Sequence, residues 1–223
     1  MCGRFNVIDS PQVRLLVDAL DIKLGALRFS ADVAPGALIS IVKTGPQGRS
    51  IHDALWWLML DPSTLTPNYR YASFNSRWDK LDSPRSLAYK PYRESRCIIP
   101  ASAFIEGLGD RKTYHKIELL GQAIAFAGLC KHYVHPTTGE SRLGASIITL
   151  GPLEQWQHIH PKSMPLMLPV DNKALIDAWL DPEFKDVQQF QSLLVPQISA
   201  PQRITPIGRP SKWDTQGEAF VLR

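Results

Sequence analysis

RCIIPASAFIE (96–106), followed by KIELLGQAIAFAGL (116–129), decides how this chain folds. Both runs are largely apolar, so they read as strands of a mixed sheet. ASIITL (145–150) is a third strand of the same kind. Working outward, ALISIVK (37–43) and SIHDALWWLML (50–60), joined across TGPQG, read as a hairpin. EAFVL (218–222) reads as a closing strand. Ser10-Pro11 ahead of Val13, Leu16, Val17 and Leu20 predicts a capped amphipathic helix. Ser83-Pro84 predicts the start of a short helix, and Pro152 to Ile159 another that runs toward His160. Two more are predicted after PLMLP (165–169), at Asp171 to Leu180 and Pro182 to Leu194. No regular βαβ rhythm links these pieces. The expectation is an α+β fold with a strand-rich core.

At 223 residues the chain is long enough for a substantial core, and no repeat, low-complexity tract or long linker divides it. A net charge of +4 permits a polyanionic partner without requiring one. Three cysteines, at 2, 97 and 130, are odd in number and lack paired spacing, which argues against a disulfide framework and for a reducing cytoplasm. The N-terminus lacks the pattern of a secretion signal, and no apolar run approaches ~18 residues, so no membrane span is expected.

The chemistry-bearing residues begin with MCGRF (1–5). Gly3 follows a small second residue, so Met1 is expected to be removed, which leaves Cys2 with an α-amine and a thiol on adjacent carbons. The plainer alternative is a small apolar residue tucked under the first strand, where free cysteine usually lies. Arg4 falls on the same side of an extended segment as Cys2, and a nearby cation favours thiolate. In YASFNSRWDKL (71–81), Asn75 and Arg77 are again two apart; together they would cradle a phosphate or carbonyl oxygen, or else they are solvated loop residues. Glu106 ends an apolar strand, a place for a raised pKa and acid–base work, the alternative being a charge that faces water. In HIHPKSMPLML (158–168), His160 is held between a helix end and a proline and would shuttle protons; the alternative is a hydrogen-bonded structural histidine. His158 and His160 lack a third metal ligand, so no metal is expected.

Taken in order, the motifs resemble the SOS-response-associated peptidase (SRAP) family, the abasic-site-processing proteins. They are MCGR, VAPG (33–36), LWWLM (55–59), N-S-R (75–77), RCIIPA with Glu106, and AFAGL (125–129). Thr149 at a strand end, IHPKSMPLML (159–168) and WDTQGEAFV (213–221) complete the set. The resemblance spans essentially the whole chain and implies a single domain, 1–223, with a curved, barrel-like core wrapped by helices.

The chemistry it implies is capture of abasic sites in single-stranded DNA. The Cys2 amine adds to the ring-opened aldehyde, and the thiol closes a thiazolidine that crosslinks protein to DNA. Lyase and self-processing peptidase activities are implied beside it. Catalytic roles then fall on Cys2, Asn75, Glu106 and His160, and DNA contacts on Arg4, Arg77, Thr149 and Lys162. No cofactor is implied; the expected protein is a cytoplasmic monomer, nucleoid-associated when on DNA. Asp32 stands before VAPG where the family usually carries Asn, and it puts an acidic charge beside the expected DNA. The segment 60–74 lacks the usual stacking tryptophan, with Tyr69, Tyr71 or Leu65 as substitutes. Two rival classes share some of these features: an N-terminal-cysteine amidotransferase, and a non-catalytic single-strand-binding protein.

Overall fold

A computed structural model describes residues 2–223. In chain order the described elements are β1 (Phe5–Val7), α1 (Pro11–Ala19), β2 (Ser30–Val33), β3 (Leu38–Gly45), β4 (Gly48–Leu55), β5 (Asn75–Arg77) and α2 (Tyr89–Glu94). There follow β6 (Arg96–Ala101), β7 (Ala103–Gly107), β8 (Tyr114–Leu119), β9 (Ile124–Val134), β10 (Ser141–Leu150), β11 (Met164–Pro165), α3 (Lys173–Leu180), β12 (Gln202–Ile207) and β13 (Phe220–Leu222).

Five strands close on themselves. Around the circuit β10, β4, β3, β6 and β9 are hydrogen-bonded neighbours, and β9 returns to β10. Most of these pairings are antiparallel, as in Ile98 with Ala127 and Ile147 with Gly128. The β10–β4 seam is parallel, Leu143 with Ala54 and Gly144 with Leu55. Closure leaves no exposed edge on the barrel itself. A second sheet runs β13-β12-β8-β7-β1-β2. The fold is the expected α+β with a barrel-like core.

The apolar run at 96–106 is not one strand but two, one in each sheet. At Ser102 the chain leaves the barrel, because the backbone N–H of Ser102 donates to Asn6 O at 2.8 Å and its Oγ accepts from Ile8 N at 2.8 Å. The following residues therefore join β1, and Glu106 is carried away from the barrel toward the N-terminal segment. The run 116–129 likewise divides into β8 and β9 at Gly121, whose φ of +78° suits glycine. The strand expected over 50–60 stops at Leu55. There the Trp56 and Trp57 indoles donate to Phe74 O and Asn68 O, so both side chains are spent on packing the 58–74 segment.

The helix at Ser10-Pro11 forms as expected, with Ser10 Oγ accepting from Val13 N at 3.3 Å. Of the region expected as helix from Ser83, residues 83–88 are successive turns, and the helix is α2 at Tyr89–Glu94. Pro152 to Ile159 holds only a 3₁₀ turn at Glu154–Trp156, and Pro182 to Leu194 only a 3₁₀ segment at Val187–Leu194. In both, one aromatic residue (Trp156, Phe190) is fully buried, and tertiary packing rather than helix propensity sets the backbone.

One continuous apolar cluster spans both sheets and takes in Cys2, Phe5, Trp56, Phe104, Phe126 and Trp156. Phe5 meets Trp56 edge-on at 4.8 Å between ring centres, and Phe104 meets Phe126 at 5.5 Å. Arg96 is buried at the base. Its guanidinium donates to the carbonyls of Trp179, Tyr92, Asp181 and Phe184 at 2.7–2.8 Å, which ties α3 to the barrel.

Candidate active site

β1 and β7 run antiparallel with Phe5 opposite Phe104, and Ile105 N donates to Arg4 O at 2.9 Å. That pairing lays residues 2–4 along the end of β7, where Glu106 lies. From the other side β5 approaches, and the Asn75 amide donates to Cys2 O at 2.8 Å. Asn75 Oδ1 is buried with no hydrogen-bond partner among the described residues, so an acceptor stands ready beside Cys2. Cys2 is fully buried, its Sγ 3.9 Å from Arg4 O. Burial pushes its thiol pKa well up, and the nearby Glu106 charge adds to the rise. The thiolate expected from Arg4 is not supported by this geometry, because the Arg4 guanidinium is taken by the Asp32 carboxylate.

Glu106 is buried, and desolvation pushes its pKa up to about 7. Its Oε2 lies 3.6 Å from His160 Nδ1, which in turn is 2.6 Å from Gly107 O. A carbonyl only accepts, so Nδ1 carries the proton and Nε2 is the acceptor of the neutral ring. Burial, with the Lys162 charge as a smaller contribution, holds the His160 pKa below its usual value, so the ring is neutral at pH 7.

A cavity of about 300 Å³ is lined by Gly3, Arg4, Glu106, Arg111, Tyr114 and His160. A wider cleft of about 820 Å³ is lined by Asn75 and Arg77 together with Arg70, Tyr71, Lys80 and Arg85. The Cys2–Arg4 segment links them, bonded to Asn75 of one and forming a wall of the other. A larger cleft of about 1170 Å³ at the β3–β4 turn carries no comparable acid–base pair, and there Arg49 is held by Asp177 and His52 by Ser50.

The structure thus brings Cys2, Arg4, Asn75, Glu106 and His160 together. Arg77 is exposed on the cleft, its guanidinium doubly bonded to Asp79 at 2.8 and 2.9 Å. Lys162 is exposed just beyond His160. Thr149 is buried in β10 opposite Arg77 and Pro165, and it lines neither cavity. Among the proposed stacking residues Leu65 is buried, whereas Tyr69 and Tyr71 are 75% and 57% exposed. The sequence reading missed Arg70, Lys80 and Arg85; arginine and tyrosine interleaved in NYRY (68–71), just before the N-S-R motif, was the available signal. It also missed Arg111, in the loop between β7 and β8, and Tyr114, which pairs with Gly107 at the start of β8; both line the cavity of Glu106. Among the described residues no three His, Cys, Asp or Glu side chains are grouped to hold a metal, and no helix is long and apolar enough to cross a membrane.

Comparison with known proteins identifies the family and matches the fold. The chain is 31% identical over 204 residues to the abasic site processing protein YobE of Bacillus subtilis, covering 88% of this chain and 89% of that protein. It is 32% identical over 204 residues to the abasic site processing protein YoqW of the same organism, covering 88% and 87%. A solved structure of a protein from Bacteroides thetaiotaomicron shares the fold at a TM-score of 0.70 with 19% identity, covering 92% of each chain. One from Bordetella bronchiseptica does so at 0.67 with 16% identity, covering 89% of this chain and 95% of that one. The profile of the SOS response associated peptidase (SRAP) family matches residues 1–209, and the chain belongs to that family.

Proposed function

We propose that this protein processes abasic sites in single-stranded DNA by capturing the opened sugar on Cys2 as a thiazolidine. The observation that carries the reading is the burial of Cys2 against a carboxyl group whose pKa is about 7, with Asn75 fixing the Cys2 backbone. Two relatives named as abasic site processing proteins support it.

The steps balance on the groups present. Met1, which lies outside the described residues, is first removed. The freed α-amine adds to the lesion's aldehyde carbon. Protonated Glu106 then gives its proton to the departing hydroxyl, which leaves as water, and a protonated imine forms that keeps the nitrogen's own hydrogen. The Glu106 carboxylate so produced takes the thiol proton as sulfur adds to the same carbon and closes the five-membered ring. One water is lost overall. A group with pKa near 7 can serve both as acid and as base at neutral pH. A thiol held protonated by burial needs such a base at the moment it attacks. His160 Nε2 exchanges a proton with the sugar hydroxyl during ring opening, and Asn75 Oδ1 accepts from the amine or the opened sugar.

The strand's phosphates follow Arg70, Arg77, Lys80 and Arg85 on one side of the terminal segment and Arg4 and Lys162 on the other, with Tyr69 and Tyr71 as exposed stacking faces. The imine also permits β-elimination of the 3′ phosphate, a lyase side reaction, and removal of Met1 at the same site is the peptidase activity. Incubation with a uracil-excised single-stranded oligonucleotide, followed by denaturing electrophoresis, tests the proposal. A shifted band that survives denaturation supports it. Strand binding with no such band favours a non-catalytic binder, and glutamine hydrolysis in its place favours an amidotransferase.

A further inference from the structure

Asp32 lies in β2, the strand paired with β1, and both of its carboxylate oxygens are occupied. Oδ2 accepts from Arg4 Nη1, and Oδ1 accepts from Trp213 Nε1 at 3.0 Å. Arg4 forms part of the wall of the cavity that holds Glu106 and His160, as does Pro210, three residues before Trp213. The loop between them is pinned to the end of β12, where Gly208 N donates to Asp214 O and Gln216 N to Pro206 O, each at 2.9 Å. Trp213 itself takes the left-handed backbone region at φ +61°, uncommon for so large a residue, and its indole N–H is satisfied by Asp32.

A carboxylate meets a guanidinium much as a phosphodiester does. Asp32 therefore fills the place on Arg4 that a strand's phosphate would take. We propose that Asp32 is a specificity-determining residue, an internal anion that holds Arg4 and so weakens the grip on undamaged strands. The inference rests on the DNA-capture reading above. An Arg–Asp pair with side chains 24% and 36% exposed is weak enough to be displaced by an entering phosphate. An intact strand must compete with Asp32 and is released quickly. A lesion is retained because its carbon becomes bonded to Cys2. The chain thus trades non-covalent affinity for discrimination by chemistry.

The test compares Asp32→Asn and Trp213→Phe with wild type, using fluorescence anisotropy on an intact single-stranded oligonucleotide across a salt series. A parallel capture assay uses the uracil-excised oligonucleotide with intact competitor. Asparagine keeps an acceptor for Trp213 and removes only the charge. It is expected to tighten intact-strand binding roughly three- to fivefold near ~100 mM salt, to steepen the log–log salt slope by about 0.7, and to make capture more sensitive to competitor. Trp213→Phe leaves Asp32 on Arg4 and keeps the wild-type slope. An unchanged or shallower slope in Asp32→Asn overturns the proposal, and so does equal steepening in Trp213→Phe, which would assign the effect to the loop. Asp32→Ser, which also removes the charge, gives the same readout if the asparagine variant does not fold. Absence of any covalent product from wild type refutes the capture reading instead, and the intact-strand titrations judge Asp32 independently of it.

Discussion

Asn75 reaches across 73 positions of sequence to donate its side-chain amide to the carbonyl of Cys2 at 2.8 Å. This single bond fixes the N-terminal segment against β5, and with Arg4 bonded to β7 it sets where the Cys2 amine and thiol lie relative to Glu106. Loss of one such hydrogen bond costs about 1 kcal/mol of stability, a small effect for a chain of this size. The cost in positioning is larger, because misplacement by about an ångström can slow a reaction ~100-fold. Asn75→Ala is therefore expected to lower the melting temperature by only a few degrees and to slow covalent capture roughly tenfold to hundredfold, measured by quenched-gel kinetics beside a thermal melt.

Glu106 carries the pH dependence. Its folded pKa of about 7 lies above the ordinary 4.5, so the folded protein holds the extra proton between those values. The corresponding stability is fully present below 4.5 and is lost as pH rises to about 7, on the order of 3 kcal/mol in all. Glu106→Gln has no such titration, and denaturant melts should show it gaining on wild type across that window. Capture by wild type should peak near neutral pH, since dehydration needs the acid form and ring closure the carboxylate. In the glutamine variant the peak should disappear and the rate fall far more than intact-strand affinity. Equal losses of rate and affinity would count against the role.

Lys162 contributes a solvated charge beyond His160. Lys162→Ala is expected to weaken strand binding and to make its salt slope shallower by about 0.7, the signature of one lost phosphate contact on a single strand. Anisotropy titrations at several salt concentrations read this directly, and an unchanged slope removes Lys162 from the path.

The barrel seam makes a separate claim. A Cβ on Gly144 would stand 2.5 Å from Trp57 O and 2.9 Å from Leu58 O, both rigid backbone atoms at the parallel β10–β4 junction. Gly144→Ala should destabilise the fold by about 2 kcal/mol or more, because neither neighbour can move without breaking the turn after β4. Urea melts monitored by tryptophan fluorescence would measure it.

Much of this was legible in the sequence, and the failures share a cause. The strands around Ile98, Ala127 and Ile147 were readable because buried strands are continuous apolar runs. The break at Ser102 was not, since it depends on hydrogen bonds to Asn6 and Ile8, nearly a hundred positions away. That break is what turns Glu106 toward Cys2. Period-two spacing suggested that Arg4 and Cys2 share a face, but not that Asp32 on another strand would claim the guanidinium. Thr149 stands at the end of β10 as its motif suggested, but the motif did not show that pairing with β5 and β11 buries it there. Local pattern reported which residues are chemical, and long-range pairing decided which of them meet.

The most direct measurement is the mass of the N-terminal peptide after capture and nuclease digestion. With Met1 removed, the Cys2–Arg4 peptide should carry the sugar with net loss of one water, and its thiol should no longer react with an alkylating reagent. A covalent product in which that peptide is unmodified, or carries the sugar with an alkylatable thiol, would contradict ring closure on Cys2.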